Sequence, residues 1–196
     1  MPLYSPANPV AFFALALAWL GLCGAMLMSR RPSSQAKSER ARRDNNSLYG
    51  VVLQTIGIGL TWAGPIRFAL PATLHLWLAA IPPAVIAFLT TGLFIWSTQT
   101  MGANWSLVAR TREDHSLVQS GPFALVRNPI YVGLFGLMCA NAISLGHVVN
   151  LIPGVPFFVV ATLMRVHSEE KLLRAAFGSG YEAYALRLKR FIPLLW

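Results

Sequence analysis

The sequence predicts an all-α integral membrane protein, a helical bundle of about five transmembrane helices, and three observations carry that prediction. Hydrophobic residues make up 55% of the chain and charged residues 12%, with a mean hydropathy of +0.53. That is more apolar surface than one soluble core of this length can bury. The apolar residues fall in runs long enough to cross hydrocarbon. Of the sixteen lysines and arginines, only Arg67 falls on a segment predicted to lie outside. Five spans with the N-terminus out and the C-terminus cytoplasmic therefore satisfy the positive-inside rule.

The net charge of +9 is not the mark of a nucleic-acid binder. Its basic residues sit in short runs beside apolar segments, where they set orientation and meet anionic headgroups. Cys23 and Cys139 both lie inside apolar stretches and define neither a disulfide framework nor a zinc site. His75, His115, His147 and His167 are scattered singly, so no metal site is expected.

Taken in order, Pro9 to Met28 is the first span. No lysine or arginine precedes it, whereas Arg30, Arg31, Lys37, Arg40, Arg42 and Arg43 follow, the reverse of a cleaved signal peptide. A basic linker over 30–47, rich in Ser, Arg and Asn, is predicted to be mobile and cytoplasmic. A second apolar run, Leu48 to Ile66, returns outward to a short turn marked by Gly64-Pro65, Arg67 and Pro71. The third, Leu74 to Thr98, contains Pro82-Pro83, which should kink or split it.

A polar loop with Asn104, Trp105, Ser106, Arg110, Arg112, Glu113, Asp114 and His115 then precedes the fourth segment, Pro129 to Leu145. Gly133, Gly136 and Ala140 place small side chains near one face of that segment, as close helix packing requires. The turn Gly146 to Asn150 leads to the fifth, Leu151 to Phe177, with Pro153, Gly154 and Pro156 predicting irregular first turns and Gly178 a C-cap. Beyond it, Tyr181, Tyr184, Leu188 and Phe191 would share one face of a short helix lying on the membrane surface.

The chemistry is placed on Gly121 to Gly133, GPFALVRNPIYVG, a turn running straight into a helix start. Asn128 is a favoured N-cap, and Pro129 suits the first helical position because the N–H it lacks would be unpaired there anyway. Open backbone N–H groups beside Arg127 would then seat an anion. Arg165 and Glu169 are four apart and share a helical face, with Glu170 turned aside. Charges at the margin of hydrocarbon are costly when unpaired and often mark function. A cavity joining these carboxylates to Arg127, Arg165 and a helix N-terminus would suit a zwitterion shaped like an amino-acid tail.

Here the chain resembles a family. GANW at 102–105, EDHSLV at 113–118, the 121–133 segment, RVHSEE at 165–170 and FGSGYEAY at 177–184, closed by Pro193, are similar to the isoprenylcysteine carboxyl methyltransferase and phospholipid methyltransferase group. The resemblance covers 99–196, leaving 1–98 as N-terminal spans and linker ahead of a methyltransferase-like catalytic region.

It implies methyl transfer from S-adenosyl-L-methionine, leaving S-adenosyl-L-homocysteine, to a lipophilic or prenylated acceptor or a membrane lipid. The site would face the cytoplasm, at the inner membrane in a bacterial host. Leu117, Val118 and Gly121 would approach the cofactor, and Asn128, Pro129, Tyr131 and Gly133 would line its pocket. Arg165 with Glu169 or Glu170, together with Arg127, would hold the cofactor tail or orient the acceptor. Tyr181 and Tyr184 would support a lid.

In two places the chain departs from that pattern: Asn128 stands where the family has histidine, and Phe123 where it has tyrosine. Asparagine cannot carry a proton or a positive charge, so a general-base role at position 128 is excluded. A carboxylate acceptor, already ionised, needs no base. Two other readings remain open from sequence: an NADPH-dependent membrane reductase of the sterol reductase type, and a non-catalytic membrane scaffold. Titration with S-adenosylhomocysteine and with NADPH separates them.

Overall fold

The computed structural model describes residues 4–28, 42–43, 45–69, 73–105, 110–111 and 116–193. Most of the predicted basic linker, together with Pro71, Ser106, Arg112, Glu113, Asp114 and His115, lies outside the described residues. The protein is an all-α membrane bundle. Its helices are α1 (Pro9–Met28), α2 (Asn45–Leu60), α3 (Leu74–Met101), α4 (Pro129–Ser144), α5 (Leu151–Phe177) and α6 (Ser179–Arg187). Among the described residues the extended pairing of named strands is a short antiparallel ribbon, β1 (Arg42–Arg43) on β2 (Arg110–Thr111).

Three helical stretches, Pro9–Met28, Leu74–Met101 and Val148–Phe177, are long and apolar enough to cross a membrane. Helices α2 and α4, at 16 residues each, are apolar but shorter than the roughly 20 residues that match hydrocarbon. Large apolar side chains such as Leu20, Phe88, Leu89 and Ile152 point outward, as expected where lipid rather than water is the solvent.

Small residues let the helices approach. On α1 the buried positions are Ala11, Leu15, Ala18 and Leu22, one face at helical spacing. Leu15, Ala18 and Leu22 meet Ala87 and Phe94 of α3 and Leu137 and Ala140 of α4 in the core. A Cβ at Gly133 would stand 2.9 Å from the Thr90 carbonyl, and one at Gly136 would collide with Thr90 Cγ2. The small-residue face of α4 is therefore a seat for α3.

The same device joins α2 to α5. A Cβ at Gly57 would lie 2.9 Å from the Phe158 nitrogen and 3.0 Å from the Gly154 carbonyl. One at Gly50 would lie 2.5 Å from Arg165 Cγ. Gly50, Gln54, Gly57 and Thr61 recur at four, three and four residues, so one face of α2 lies along α5.

The end of α2 and the course of α3 differ from the sequence prediction. The second apolar run was expected to reach Ile66, but α2 stops at Leu60. Asn150 donates to the Leu60 and Ala63 carbonyls (2.9 and 2.6 Å), and the buried His147 ring lies 3.1 Å from the Thr61 carbonyl oxygen and 3.3 Å from that of Pro65. These side chains occupy carbonyls that further helix would have used. The proline pair, expected to kink or split α3, leaves one helix continuous from Leu74 to Met101. Helix α5 likewise runs unbroken from Leu151 through Pro156, and Gly178 closes it at φ 48° with its N–H on the Arg174 carbonyl.

The bundle has two distinct ends. At one, residues 5–8 meet Arg67, Ala69, Ser144 and Gly146 through backbone hydrogen bonds. At the other, α1, α3 and α5 finish and α4 begins. Arg67 belongs to the first end, whereas Arg127, Arg165, Arg174 and Arg190 gather at the second.

Candidate active site

At that second end a cavity of about 150 Å³ opens between the tips of the helices. Its apolar wall includes Phe94, Leu117, Val118, Phe123, Leu134 and Leu172, and its polar groups are Arg127, Asn128, Tyr131, Arg165, Glu169 and Glu170, with Tyr181 and Tyr184 from α6. The turn before α4 and the end of α5, distant in sequence, thus face one space.

The ion pairs resolve which glutamate each arginine serves. Arg165 lies 3.8 Å from Glu169 Oε1, and the Tyr131 hydroxyl donates to that same oxygen. The Arg165 guanidinium also lies over the Tyr131 ring, 5.1 Å from its centroid, a favourable cation–π arrangement. Arg165, Tyr131 and Glu169 therefore form one cluster bridging α4 and α5.

Glu170 belongs to a second cluster. Its side chain is only 4% exposed, and three guanidinium groups reach it: Arg127 at 3.1 Å, Arg174 at 3.3 Å and Arg190 at 2.9 Å. Arg190 binds as a fork, Nε to Oε1 at 3.0 Å and Nη2 to Oε2 at 2.9 Å, the planar geometry that lysine cannot reproduce. Glu170 is the anion that gathers the tail of the chain onto α5.

Asn128 does not cap α4. Its backbone sits at φ −130°, ψ 56° and its side chain makes no capping bond. The side-chain amide donates instead to the Arg190 carbonyl at 3.3 Å, and the Asn128 backbone N–H donates to the same oxygen at 3.0 Å. With the Arg127 N–H on the Lys189 carbonyl at 2.9 Å, this straps 189–190 across the turn. The predicted surface helix accordingly ends at Arg187, and Leu188 is extended at φ −124°, ψ 144°. Leu188 and Phe191 thus lie past its end, while Tyr181 and Tyr184 are buried on it.

Tyr184 donates to the Phe123 carbonyl at 2.8 Å, and burial pushes its hydroxyl up to about 12. Burial, and then the nearby Glu170 charge, raise Tyr181 as well. Its hydroxyl accepts from Arg127 Nη1 at 3.4 Å. The hydrogen bond to Glu170 holds Arg190 above the usual guanidinium range. Both tyrosines thus stay protonated at physiological pH.

Of the residues picked from sequence, Leu117, Val118, Arg127, Asn128, Tyr131, Arg165, Glu169, Glu170, Tyr181 and Tyr184 line the cavity. Gly121, Pro129 and Gly133 are not in its lining. Gly121, at φ +58°, lies against α3, where a Cβ would meet Thr100 Oγ1 at 2.9 Å. Pro129 is buried as the first residue of α4, and Gly133 is the α3 seat described above.

The sequence reading missed Arg190, Gln54, Met26 and Phe94. For Arg190, nothing local in the sequence shows that residues beyond α6 fold back. Among the described residues, no group of three or more His, Cys, Asp or Glu side chains could hold a metal ion.

Comparison with known proteins adds to this geometry. The model of the isoprenylcysteine carboxyl methyltransferase (ICMT) family matches residues 84–175. Over these residues, a little under half of the chain, the protein is similar to the ICMT family. The matched region contains the turn before α4, all of α4 and the Arg165 to Glu170 segment, hence most of the polar lining.

A protein named protein-S-isoprenylcysteine O-methyltransferase, from Schizosaccharomyces pombe, is 29% identical over 116 residues, 57% of this chain and 49% of that protein. A cobalt-zinc-cadmium resistance protein, CzcN, from Cupriavidus metallidurans is 31% identical over 109 residues, 55% of this chain and 50% of its own length. The chain thus spans about half the length of the curated relatives it matches. Helices α1 and α2 lie outside the ICMT-matched region, although Met26 of α1 lines the cavity and Gln54 of α2 touches Arg165.

Proposed function

We propose that this protein is a membrane methyltransferase that moves a methyl group from S-adenosyl-L-methionine to a lipophilic acceptor. An isoprenylcysteine-like carboxylate is the first choice of acceptor. The observation that carries the reading is that Arg127, Asn128 and Tyr131 from one patch and Arg165, Glu169 and Glu170 from the other line one cavity with apolar walls. The positive-inside pattern supports five crossings with the cavity end facing the cytoplasm, and the motifs quoted from 102–184 support residues 99–196 as the catalytic region.

The donor set fits the cofactor. The Nε–H of Arg127 is buried with no partner among the described residues, and a buried donor left unpaired costs about 1–3 kcal/mol. A ligand carboxylate would satisfy it. Glu169, 30% exposed, is the freer carboxylate to meet an ammonium, because Glu170 is already surrounded by arginines. Leu117, Val118, Leu134 and Leu172 offer apolar surface to an adenine ring.

When bound, S-adenosylmethionine supplies a methyl group made electrophilic by its sulfonium. The chain's own part is positioning and exclusion of water, which suits a displacement whose charge disperses in the transition state. Arg165, held against Tyr131 and Glu169, presents a positive face to an anionic acceptor. Tyr181 and Tyr184 line the cavity from α6.

Incubating membranes containing the protein with radiolabelled S-adenosylmethionine, then extracting lipid, tests the reading. Label in the lipid or prenylated fraction, abolished by Arg165→Ala, is the expected outcome. No transfer above control membranes refutes it.

A further inference from the structure

Gln54 is a polar side chain, 3% exposed, in the middle of an apolar helix that lies outside the ICMT-matched region. Burying an amide in such a place is costly unless its groups are paired. Its two ends are used differently. The amide nitrogen donates to Thr162 Oγ1 at 2.9 Å, and the amide oxygen accepts from Arg165 Nη1 at 3.0 Å. Arg165 is thus gripped from α2 on one side and engages Glu169 and Tyr131 on the other.

Gly50, one turn earlier on the same face, makes room for this grip. The stem of Arg165 fills the place where a Cβ at position 50 would stand, 2.5 Å from Arg165 Cγ and 3.2 Å from the Ala161 carbonyl. A long cation has many rotamers, and fixing it in one costs entropy that a buried acceptor and a fitted groove reduce.

We infer that Gln54 and Gly50 of α2 are positioning residues for the methyl-transfer site, fixing the Arg165 guanidinium at the angle from which it serves the acceptor. The activity arm of this inference rests on the methyl-transfer reading. The contacts themselves do not.

The test uses full-length protein in detergent. Gln54→Met keeps the side-chain length but replaces the amide by an apolar thioether and so removes the acceptor, whereas Gln54→Glu retains an oxygen at the same place. Gln54→Met should lower kcat about tenfold, the effect of losing one hydrogen bond to a charged group, with KM for S-adenosylmethionine unchanged within about twofold. Gln54→Glu should recover most of the turnover. Gly50→Ala should behave like Gln54→Met, while Gly59→Ala, where an added Cβ meets nothing within 4 Å, should match the parent protein. Full turnover by Gln54→Met, or no recovery in Gln54→Glu, overturns the inference.

A thermal-melting cycle of Gln54→Met with Arg165→Met provides a readout independent of activity. Gln54→Met should lower the melting temperature more in the parent than once Arg165 is gone, the remaining shift being the lost bond to Thr162; equal shifts in both backgrounds overturn the inference. If the parent transfers no methyl group, the proposed function fails and the melting cycle alone decides whether Gln54 holds Arg165.

Discussion

The hydroxyl of Tyr131, one turn into α4, donates to Glu169 near the end of α5, linking across the cavity the two patches that the sequence places 38 residues apart. The Tyr131 ring also carries Arg165 on its face. One tyrosine therefore touches both members of the Arg165–Glu169 pair. Tyr131→Phe separates its two roles, since the ring stays and the donor goes. Turnover should fall about tenfold or more, the effect of losing a hydrogen bond to a carboxylate, with little change in melting temperature. Wild-type turnover in this variant would show that the hydroxyl has no part in methyl transfer.

Glu170 gives the opposite signature. Its carboxylate is the shared anion for Arg127, Arg174 and Arg190, and removing it leaves three cations close together. Breaking a buried pair costs about 3–5 kcal/mol. Because Arg174 and Arg190 are 44% and 38% exposed, solvent screening puts Glu170→Gln near the low end, about 3 kcal/mol. Thermal melting in detergent should show a clear loss, and Arg190→Lys, which keeps charge but not the fork, a smaller one.

Much of this arrangement is legible in the sequence, and the exceptions have a common cause. Helix α5 begins and ends where hydropathy, the Gly146 to Asn150 turn and Gly178 place it, because those signals are local. Side chains arriving from elsewhere overrode the local pattern at other points. Asn150 and His147 end α2 six residues before its apolar run does. Arg190 draws the chain out of α6 and across Asn128, whose amide then serves a strand-like segment in place of the helix it was expected to cap. Gln54 was visible as a polar residue between Gly50 and Gly57 at helical spacing. Only the fold shows that Arg165 is what it meets.

Close glycine packing predicts a graded response to alanine. Gly57→Ala places a methyl group against backbone atoms of α5 that cannot move aside, and overpacking of this kind costs about 1–3 kcal/mol. Gly92→Ala in α3, with nothing within 4 Å of the added carbon, should be neutral or slightly stabilising, since alanine favours helix. Comparing the two melting temperatures in one detergent checks the α2–α5 interface directly.

Tyr184 predicts an alkaline limit. Its folded value of about 12 stands above the ordinary 10, so between those values the folded state holds a proton that the unfolded state has released. The stabilisation is fully present below pH 10 and is lost as pH rises through about 12. Tyr184→Phe should cost about 1 kcal/mol at neutral pH through the bond to Phe123, yet lose less further stability between pH 10 and 12 than the parent does. Parallel melting curves across that range would contradict the assignment.

The central claim is that the two patches grip a zwitterionic methyl donor between them, and the most direct measurement is calorimetric titration of the purified protein with S-adenosylhomocysteine. Saturable one-to-one binding is expected, weakened about tenfold or more in Arg127→Lys, which keeps the charge beside Glu170 but lacks the unpaired Nε–H. Absence of saturable binding, or equal affinity in the two proteins, would contradict it.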